Sequence, residues 1–100
     1  MDYQVILSKP ALRDLGEIAR YIAQDGNSET AERVGHELLD LAESLAVLPR
    51  RGSLLHSRSG ARRVLLAPYL VVYRVDETTH QVRVLRFWHG RRNPDELRLG

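Results

Sequence analysis

The spacing of apolar and polar residues first predicts a strand and a helix. Residues 3–7 are a short, mostly apolar run typical of a strand. Ser8 is placed to cap the helix that follows, and Pro10 falls in its first turn, where a missing N–H is tolerated. The segment Asp25-Gly26-Asn27-Ser28 is expected to end this helix and to begin another. The apolar face of the first helix comprises Ala11, Leu15, Ile18 and Ile22.

The second helix has the clearest pattern in the chain. Apolar residues recur at alternating spacings of three and four, which predicts a long amphipathic helix that ends at Pro49. Two helices joined by so short a turn should form an antiparallel hairpin. We expect Leu38, Leu41 and Leu45 to be buried against a sheet. The whole apolar stripe comprises Ala31, Val34, Leu38, Leu41, Leu45 and Leu48.

After Pro49 the pattern changes to that of strands. Residues 50–60 are polar and are predicted to form a loop. Three strands are then expected at 62–66, 69–75 and 82–89, with a tight turn at Ala67-Pro68 and a looser one at 76–81. Such lengths suit an antiparallel meander. The predicted order β-α-α-β-β-β defines an α+β fold of two layers, with the helical hairpin packed on one antiparallel sheet.

Length and composition favour one small domain over residues 1–100, with a short tail at 93–100. The absence of cysteine excludes a disulfide framework and a cysteine-based zinc site. No apolar run approaches the roughly 20 residues that span a bilayer, and residues 1–20 lack the pattern of a signal peptide. We therefore expect a cytoplasmic protein with no membrane contact.

Charge is distributed unevenly between the two halves. Residues 1–49 contain four basic and nine acidic side chains, a balance of −5. Residues 50–100 contain eleven arginines and four acidic residues, a balance of +7. A half this basic indicates an anionic partner, either nucleic acid or an acidic protein segment, although a solvated face that serves solubility would have the same composition.

The order of these features resembles the RelE/ParE superfamily of bacterial toxins over nearly the whole chain. The resemblance is carried by the helical stretch Ala11-Leu12-x-Asp14-Leu15-x-Glu17-Ile18-x-x-Tyr21-Ile22, and by Pro49 followed by Gly52. It continues in Arg62-Arg63, in the strand Tyr69-Leu70-Val71-Val72-Tyr73-Arg74-Val75, and in the ending Val84-Leu85-Arg86-Phe87-Trp88-His89-Gly90-Arg91-Arg92-Asn93-Pro94. The His-Gly-Arg-Arg ending is the most specific part.

The superfamily implies two different activities on one scaffold. RelE-like members are ribosome-dependent endoribonucleases that cut messenger RNA, whereas ParE-like members bind and inhibit DNA gyrase. Cutting RNA without a metal requires cations that stabilise the extra phosphate charge and groups that move two protons. Because the fold cannot distinguish these activities, the site residues must.

The RelE-like site is only partly present. The resemblance places basic residues at Arg63 and Arg92, and both are found. It also places an arginine directly after the tyrosine that opens a strand, but Tyr69 is followed by Leu70. A tyrosine that stacks on the RNA base is expected at the position of Arg98. Two of the four positions are therefore lost.

A second ribonuclease branch, resembling YoeB, fits no better. Arg63 and His89 match its arginine and histidine, but Gly90 stands in place of its tyrosine. No glutamate occurs in residues 44–76 to act as its base. His36, His56 and His80 are scattered without metal-ligand spacing, so neither a metal nor another cofactor is expected.

The sequence therefore favours a ParE-like toxin that inhibits DNA gyrase, without enzymatic turnover, and is neutralised by a cognate antitoxin. A ribonuclease that uses Arg63, Arg92 and His89 is the first alternative, and a non-toxic member of the fold that binds only a partner is the second. The superfamily implies that an acidic, amphipathic antitoxin segment binds the sheet and hairpin, in a heterotetramer or a larger complex. We expect the binding residues to be Arg62, Arg63, Arg74, Arg86, Arg91 and Arg92.

Strand alternation gives a further expectation for two of these arginines. It places Arg86 on the same sheet face as Val84 and Trp88. It places Arg74 on the face of Leu70 and Val72 in the same way. An arginine among such neighbours is expected either to protrude at a rim or to pair with an acid.

Overall fold

The computed structural model describes residues 2–55, 59–92 and 97, and it confirms the predicted α+β fold. Two helices, α1 and α2, pack on one face of a five-stranded sheet whose strand order is β1-β5-β4-β3-β2. β1 runs parallel to β5, and the other neighbours are antiparallel. The elements are β1 Gln4–Leu7, α1 Lys9–Gln24, α2 Ser28–Ser44, a 3₁₀ turn Pro49–Arg51, β2 Ser53–Leu54, β3 Arg62–Leu66, β4 Tyr69–Asp76 and β5 Gln81–His89.

Helix α1 begins at the predicted cap. The side-chain oxygen of Ser8 accepts the N–H of Ala11 at 3.1 Å, and Pro10 lies in the first turn. Leu15 and Ile18 pack against the main core as the apolar spacing predicted. The helix ends at Gln24 and is capped by Asp25. Gly26, which follows, has a φ of 79° in the left-handed region, and its N–H donates to the carbonyl of Ala23.

Helix α2 is one turn shorter than predicted. Leu38 and Leu45 are fully buried, whereas Leu41 is half-buried at the edge of the core. The helix ends at Ser44, and Leu48 is left-handed and 74% exposed, so the apolar stripe does not reach Leu48. Pro49 disfavours a right-handed helical conformation in the residue before it, so the helix cannot continue through Leu48 to Pro49.

The loop predicted at 50–60 contains ordered elements. Pro49–Arg51 forms a 3₁₀ turn, and Ser53–Leu54 forms the edge strand β2 against β3. The hydroxyl of Tyr73 donates to the carbonyl of Pro49 at 2.6 Å and accepts the N–H of Gly52 at 3.0 Å. A Cβ on Gly52 would lie 2.5 Å from that hydroxyl, so this position requires glycine. A core tyrosine thus fixes the turn, which local sequence did not indicate.

A bulge in β5 changes which face its residues occupy. Val72 pairs with Arg86, but Tyr73 pairs with Val84, so Leu85 is skipped in the register. Val84 consequently packs in the core beneath the helices, whereas Trp88 packs in a smaller cluster on the far face. The expectation that Val84, Arg86 and Trp88 share a face is therefore wrong.

Leu38, in α2, and Leu48, in the turn that follows it, provide a matched test of this core. Leu38→Ala should lower the free energy of unfolding by about 2–5 kcal/mol, because a buried leucine leaves a cavity when it is truncated. Leu48→Ala, at a site that is 74% exposed, should change it by less than about 0.5 kcal/mol. Chemical denaturation would measure both, and equal losses would contradict the assignment of Leu48 to the surface.

Candidate functional site

Helix α1 docks on the edge of β5 through polar contacts. β1 pairs with β5 only as far as the pair Leu7–Val84, and the chain then turns into the helix. The N–H of Ser8 donates to Val84, and its hydroxyl donates to the carbonyl of Leu85 at 3.0 Å. The helix cap is therefore bonded to the bulge itself. Helix α1 takes the place of the missing strand along this part of the edge.

Asp14, on the second turn of α1, is the centre of this contact. Its carboxylate accepts two hydrogen bonds from the guanidinium of Arg86, at 2.6 and 2.8 Å, and one from the N–H of Phe87 at 3.1 Å. Asp14 is only 6% exposed. The hydrogen bonds that Arg86 donates to Asp14 raise the pKa of Arg86 above its ordinary value. Of the two outcomes expected for Arg86, pairing with an acid is therefore correct.

Beside this ion pair, α1 and the ends of β4 and β5 enclose a cavity of about 370 Å³. Helix α1 contributes residues from successive turns on one face, and the strands contribute aromatic rings and an imidazole. The cavity is partly open to solvent. Its lining comprises Asp14, Glu17, Ile18, Tyr21, Tyr69, Phe87, His89 and Arg92.

His89 is held in the cavity wall by its neighbours. Its ring meets that of Tyr69 edge-on, with centroids 5.4 Å apart, and its Nδ1 accepts the N–H of Arg91 at 3.1 Å. The N–H of Gly90 donates to the carbonyl of Pro68 at 2.7 Å, which joins the end of β5 to the turn before β4. Burial and the nearby phenol of Tyr21 raise the pKa of Tyr69.

Trp88 lies on the far face of the sheet, close to two guanidinium groups. Arg92 is 4.1 Å and Arg86 is 5.0 Å from the ring centroid, distances typical of cation–π contacts. The indole is 2% exposed, and within the described ranges its N–H has no acceptor. Arg86 and Arg92 thus connect the cavity wall to the far face.

The structure separates the predicted site residues into two groups. Arg86, His89, Arg91 and Arg92 lie at the end of β5. Arg62, Arg63 and Arg74 lie on the other flank, on β3 and β4. Arg62 donates to the carbonyls of Arg50 and Gly52, and Arg74 donates to that of Ser59. These two arginines therefore have structural roles in the segments before β3.

The three residues of the ribonuclease alternative do not converge. His89 is in register with Tyr69, and Tyr69 with Leu66. Arg63 lies three residues from Leu66 on a strand two places away from β5. Its Cα is therefore roughly 10 Å along the strand and roughly 10 Å across the sheet from His89. Of these three residues, His89 and Arg92 line the cavity and Arg63 does not. Arg98 lies outside the described residues.

Several residues of the cavity were not identified from the sequence as functional. The spacing of Asp14, Glu17, Ile18 and Tyr21 is that of one helix face, a signal that was present but attributed to the core and the surface. Arg83 was also missed. It is exposed and pairs in register with Arg74, so two arginines lie side by side on adjacent strands. The sequence positions of Arg74 and Arg83, taken separately, did not indicate that the two residues are neighbours.

Two further findings concern metal binding and membrane-spanning helices. In the described portion of the chain, no group of three or more His, Asp or Glu residues is arranged to hold a metal ion. No helix in residues 2–55, 59–92 and 97 is long and apolar enough to cross a membrane.

Comparison with known proteins identifies the family. Residues 5–94 match the family described as the ParE toxin of the type II toxin–antitoxin system, parDE. Because the match covers most of the chain, the protein belongs to the ParE toxin family. The comparison with curated proteins gave no significant match.

Solved structures share the fold. A chain of the chromosomal ParDE toxin–antitoxin system from P. aeruginosa has a TM-score of 0.75 and 18% identity, over 87% of this chain and 95% of that one. A chain of the toxin–antitoxin complex RelBE2 from Mycobacterium tuberculosis has a TM-score of 0.70 and 24% identity, over 89% and 99%. A mutant of the E. coli toxin RelE in the free state has a TM-score of 0.54 and 18% identity, over 91% and 86%.

The Asp14–Arg86 pair can be tested by removing its charge alone. Asp14→Asn should lower the free energy of unfolding by about 2–4 kcal/mol, because Arg86 would lose its counter-ion in a largely buried position. The asparagine oxygen can still accept the N–H of Phe87. Glu37→Gln, which breaks the exposed pair with Arg33, should cost less than about 0.5 kcal/mol. Urea denaturation of both variants is the measurement, and an Asp14→Asn protein as stable as wild type would rule out this role.

Proposed function

We propose that this protein is a toxin that inhibits DNA gyrase by binding, and that a cognate antitoxin neutralises it. The observation that carries the proposal is the position of Leu70, which stands where the RelE-like site has an arginine. Leu70 packs against the cluster of Ala61, Val72 and Trp88 on the far face. An aliphatic side chain in that cluster cannot stabilise a phosphate in a transition state.

The remaining catalytic groups support the same proposal. Arg63 pairs in register with Val72 of the far-face cluster, whereas His89 pairs with Tyr69 beneath the helices, so the two side chains lie on opposite faces of the sheet. The imidazole of His89 accepts a backbone N–H and contacts Tyr69, which fits a structural role. The nearest carboxylates belong to α1, and that of Asp14 is already occupied by Arg86. Among the described residues that line the cavity, Glu17 is the one further carboxylate that could transfer a proton.

The distribution of arginines supports an acidic antitoxin segment as the second partner. Arg63 and Arg83 are exposed on the sheet, and Arg91 and Arg92 are exposed beyond β5. Arginine guanidinium groups bind carboxylates in a bidentate manner, so an acidic amphipathic segment is complementary to this half of the protein. The antitoxin gene is expected in the adjacent reading frame.

The proposed target predicts a clear difference between two assays. The purified toxin should inhibit supercoiling of a relaxed plasmid by gyrase and increase the amount of cleaved DNA. It should leave a defined message intact on translating ribosomes, because one lost donor alone typically lowers such a rate about 100- to 1000-fold. The antitoxin should reverse the effect on gyrase. Codon-positioned cuts in the message, with gyrase unaffected, would overturn the proposal and return Arg63, Arg92 and His89 to catalytic roles.

The antitoxin interface predicts a charge-reversal effect. Arg63→Glu should weaken the complex by at least about 10-fold and slow its association, because it reverses a charge that attracts the acidic segment. The on-rate of the wild-type protein should fall as the salt concentration rises, because screening weakens electrostatic steering. Arg33→Glu, on the outer surface of α2, is the matched control and should leave binding unchanged. Surface plasmon resonance over a salt series would measure both. Unchanged binding by the Arg63→Glu protein would place the interface elsewhere.

A further inference from the structure

The cavity between α1 and the ends of β4 and β5 is fixed before any partner binds. Three hydrogen bonds hold the carboxylate of Asp14, two of them from Arg86. His89 is fixed by the N–H of Arg91 and by its contact with Tyr69. Because the walls are already ordered, a group that enters the cavity loses little free energy to their immobilisation.

The charges of the cavity favour a neutral occupant. Its lining contains the carboxylates of Asp14 and Glu17 and the guanidinium of Arg92. Arg86 balances Asp14 from the adjoining wall. These four charges cancel, so a phosphate group would gain little attraction there. Ile18, Tyr69 and Phe87 supply apolar surface, and a volume of about 370 Å³ accommodates one large side chain.

The surroundings of the cavity mouth are basic. Arg13 is exposed on α1, four residues before Glu17, and so it lies beside the face that lines the cavity. Arg91 is exposed on the opposite side, beyond β5. Over the residues that the structure describes, Arg13 and Arg91 take part in no ion pair. A partner segment that crosses the mouth would therefore meet uncompensated positive charge on both sides.

We infer that this cavity anchors one aromatic side chain of an acidic partner segment, while the arginines around the mouth bind the carboxylates that flank it. Tyr21, which is 69% exposed at the mouth, would be covered by the inserted ring. Aromatic residues in preformed pockets are typical anchors of protein interfaces. The inference rests on the proposed function, in that the segment belongs to the neutralising antitoxin.

Two synthetic peptides of equal length test the anchor on the full chain. Both consist of glutamates around one central residue, which is phenylalanine in the first and alanine in the second. The phenylalanine peptide should bind at least about 10-fold more tightly, because it buries a large apolar side chain. Titration calorimetry gives the affinities. The fluorescence of Trp88, the single tryptophan, should change for the phenylalanine peptide because Arg92 both lines the cavity and stacks on the indole.

Matched variants locate the binding site. Tyr21→Ala should reduce the affinity for the phenylalanine peptide about 5-fold or more and leave that for the alanine peptide nearly unchanged. Leu12→Ala, on the same helix and 52% exposed away from the cavity, should change neither. Arg91→Glu should weaken both peptides, whereas Arg33→Glu should weaken neither. Thermal denaturation of each variant confirms that it is folded.

Four results would overturn the inference. They are equal affinities for the two peptides, no binding of the phenylalanine peptide, wild-type binding by the Tyr21→Ala protein, and tighter binding of adenosine monophosphate than of the phenylalanine peptide. The last would assign the cavity to a phosphate ligand instead. Gyrase is absent from these titrations, so a failed peptide test leaves gyrase inhibition standing. A failed gyrase assay with the expected peptide binding would overturn the target alone.

Discussion

The carboxylate of Asp14 is the contact on which the arrangement of the site depends. β5 loses its parallel neighbour after Val84 and then bulges at Leu85, which leaves backbone groups on this edge of β5 without a strand partner. Asp14 accepts the N–H of Phe87, and Ser8 donates to the carbonyl of Leu85. Buried backbone groups require such partners. The first two turns of α1 therefore act in place of strand pairing.

The cavity is a consequence of that contact. With α1 fixed to the bulge at its N-terminal end, its middle turns form one wall of the cavity and the last residues of β5 contribute to another. The bulge also moves Trp88 to the far face while Phe87 remains beneath the helices. Arg86 spans the edge between them, bonded to Asp14 and stacked on Trp88. The bulge in β5 thus determines both the cavity wall and the contact of Trp88 with the arginines.

The basic half of the chain is less available to partners than its charge implies. Several arginines donate to backbone carbonyls of the same molecule. Arg51 bonds the carbonyls of Ser44 and Val47 at the end of α2, and Arg62 bonds those of Arg50 and Gly52. Arginine suits this role because its planar group has five donors. These arginines stabilise the segments between α2 and β3, and those that remain exposed define the surfaces on which a partner can bind.

The sequence alone determined the elements and the charge asymmetry, because helix and strand periods, caps and turns are local properties. The two helices, the three long antiparallel strands and the buried Leu38 and Leu45 followed directly from spacing. So did the loss of the RelE-like arginine at Leu70, since a residue type is visible without a structure. Only the tertiary structure decided the parallel pairing of β1 with β5, the edge strand β2 and the bulge at Leu85. Each of these depends on contacts between residues far apart in the chain, such as Tyr73 with Pro49 and Asp14 with Arg86. The cavity has the same origin, because four residues of α1 become a wall only when β5 ends beside them.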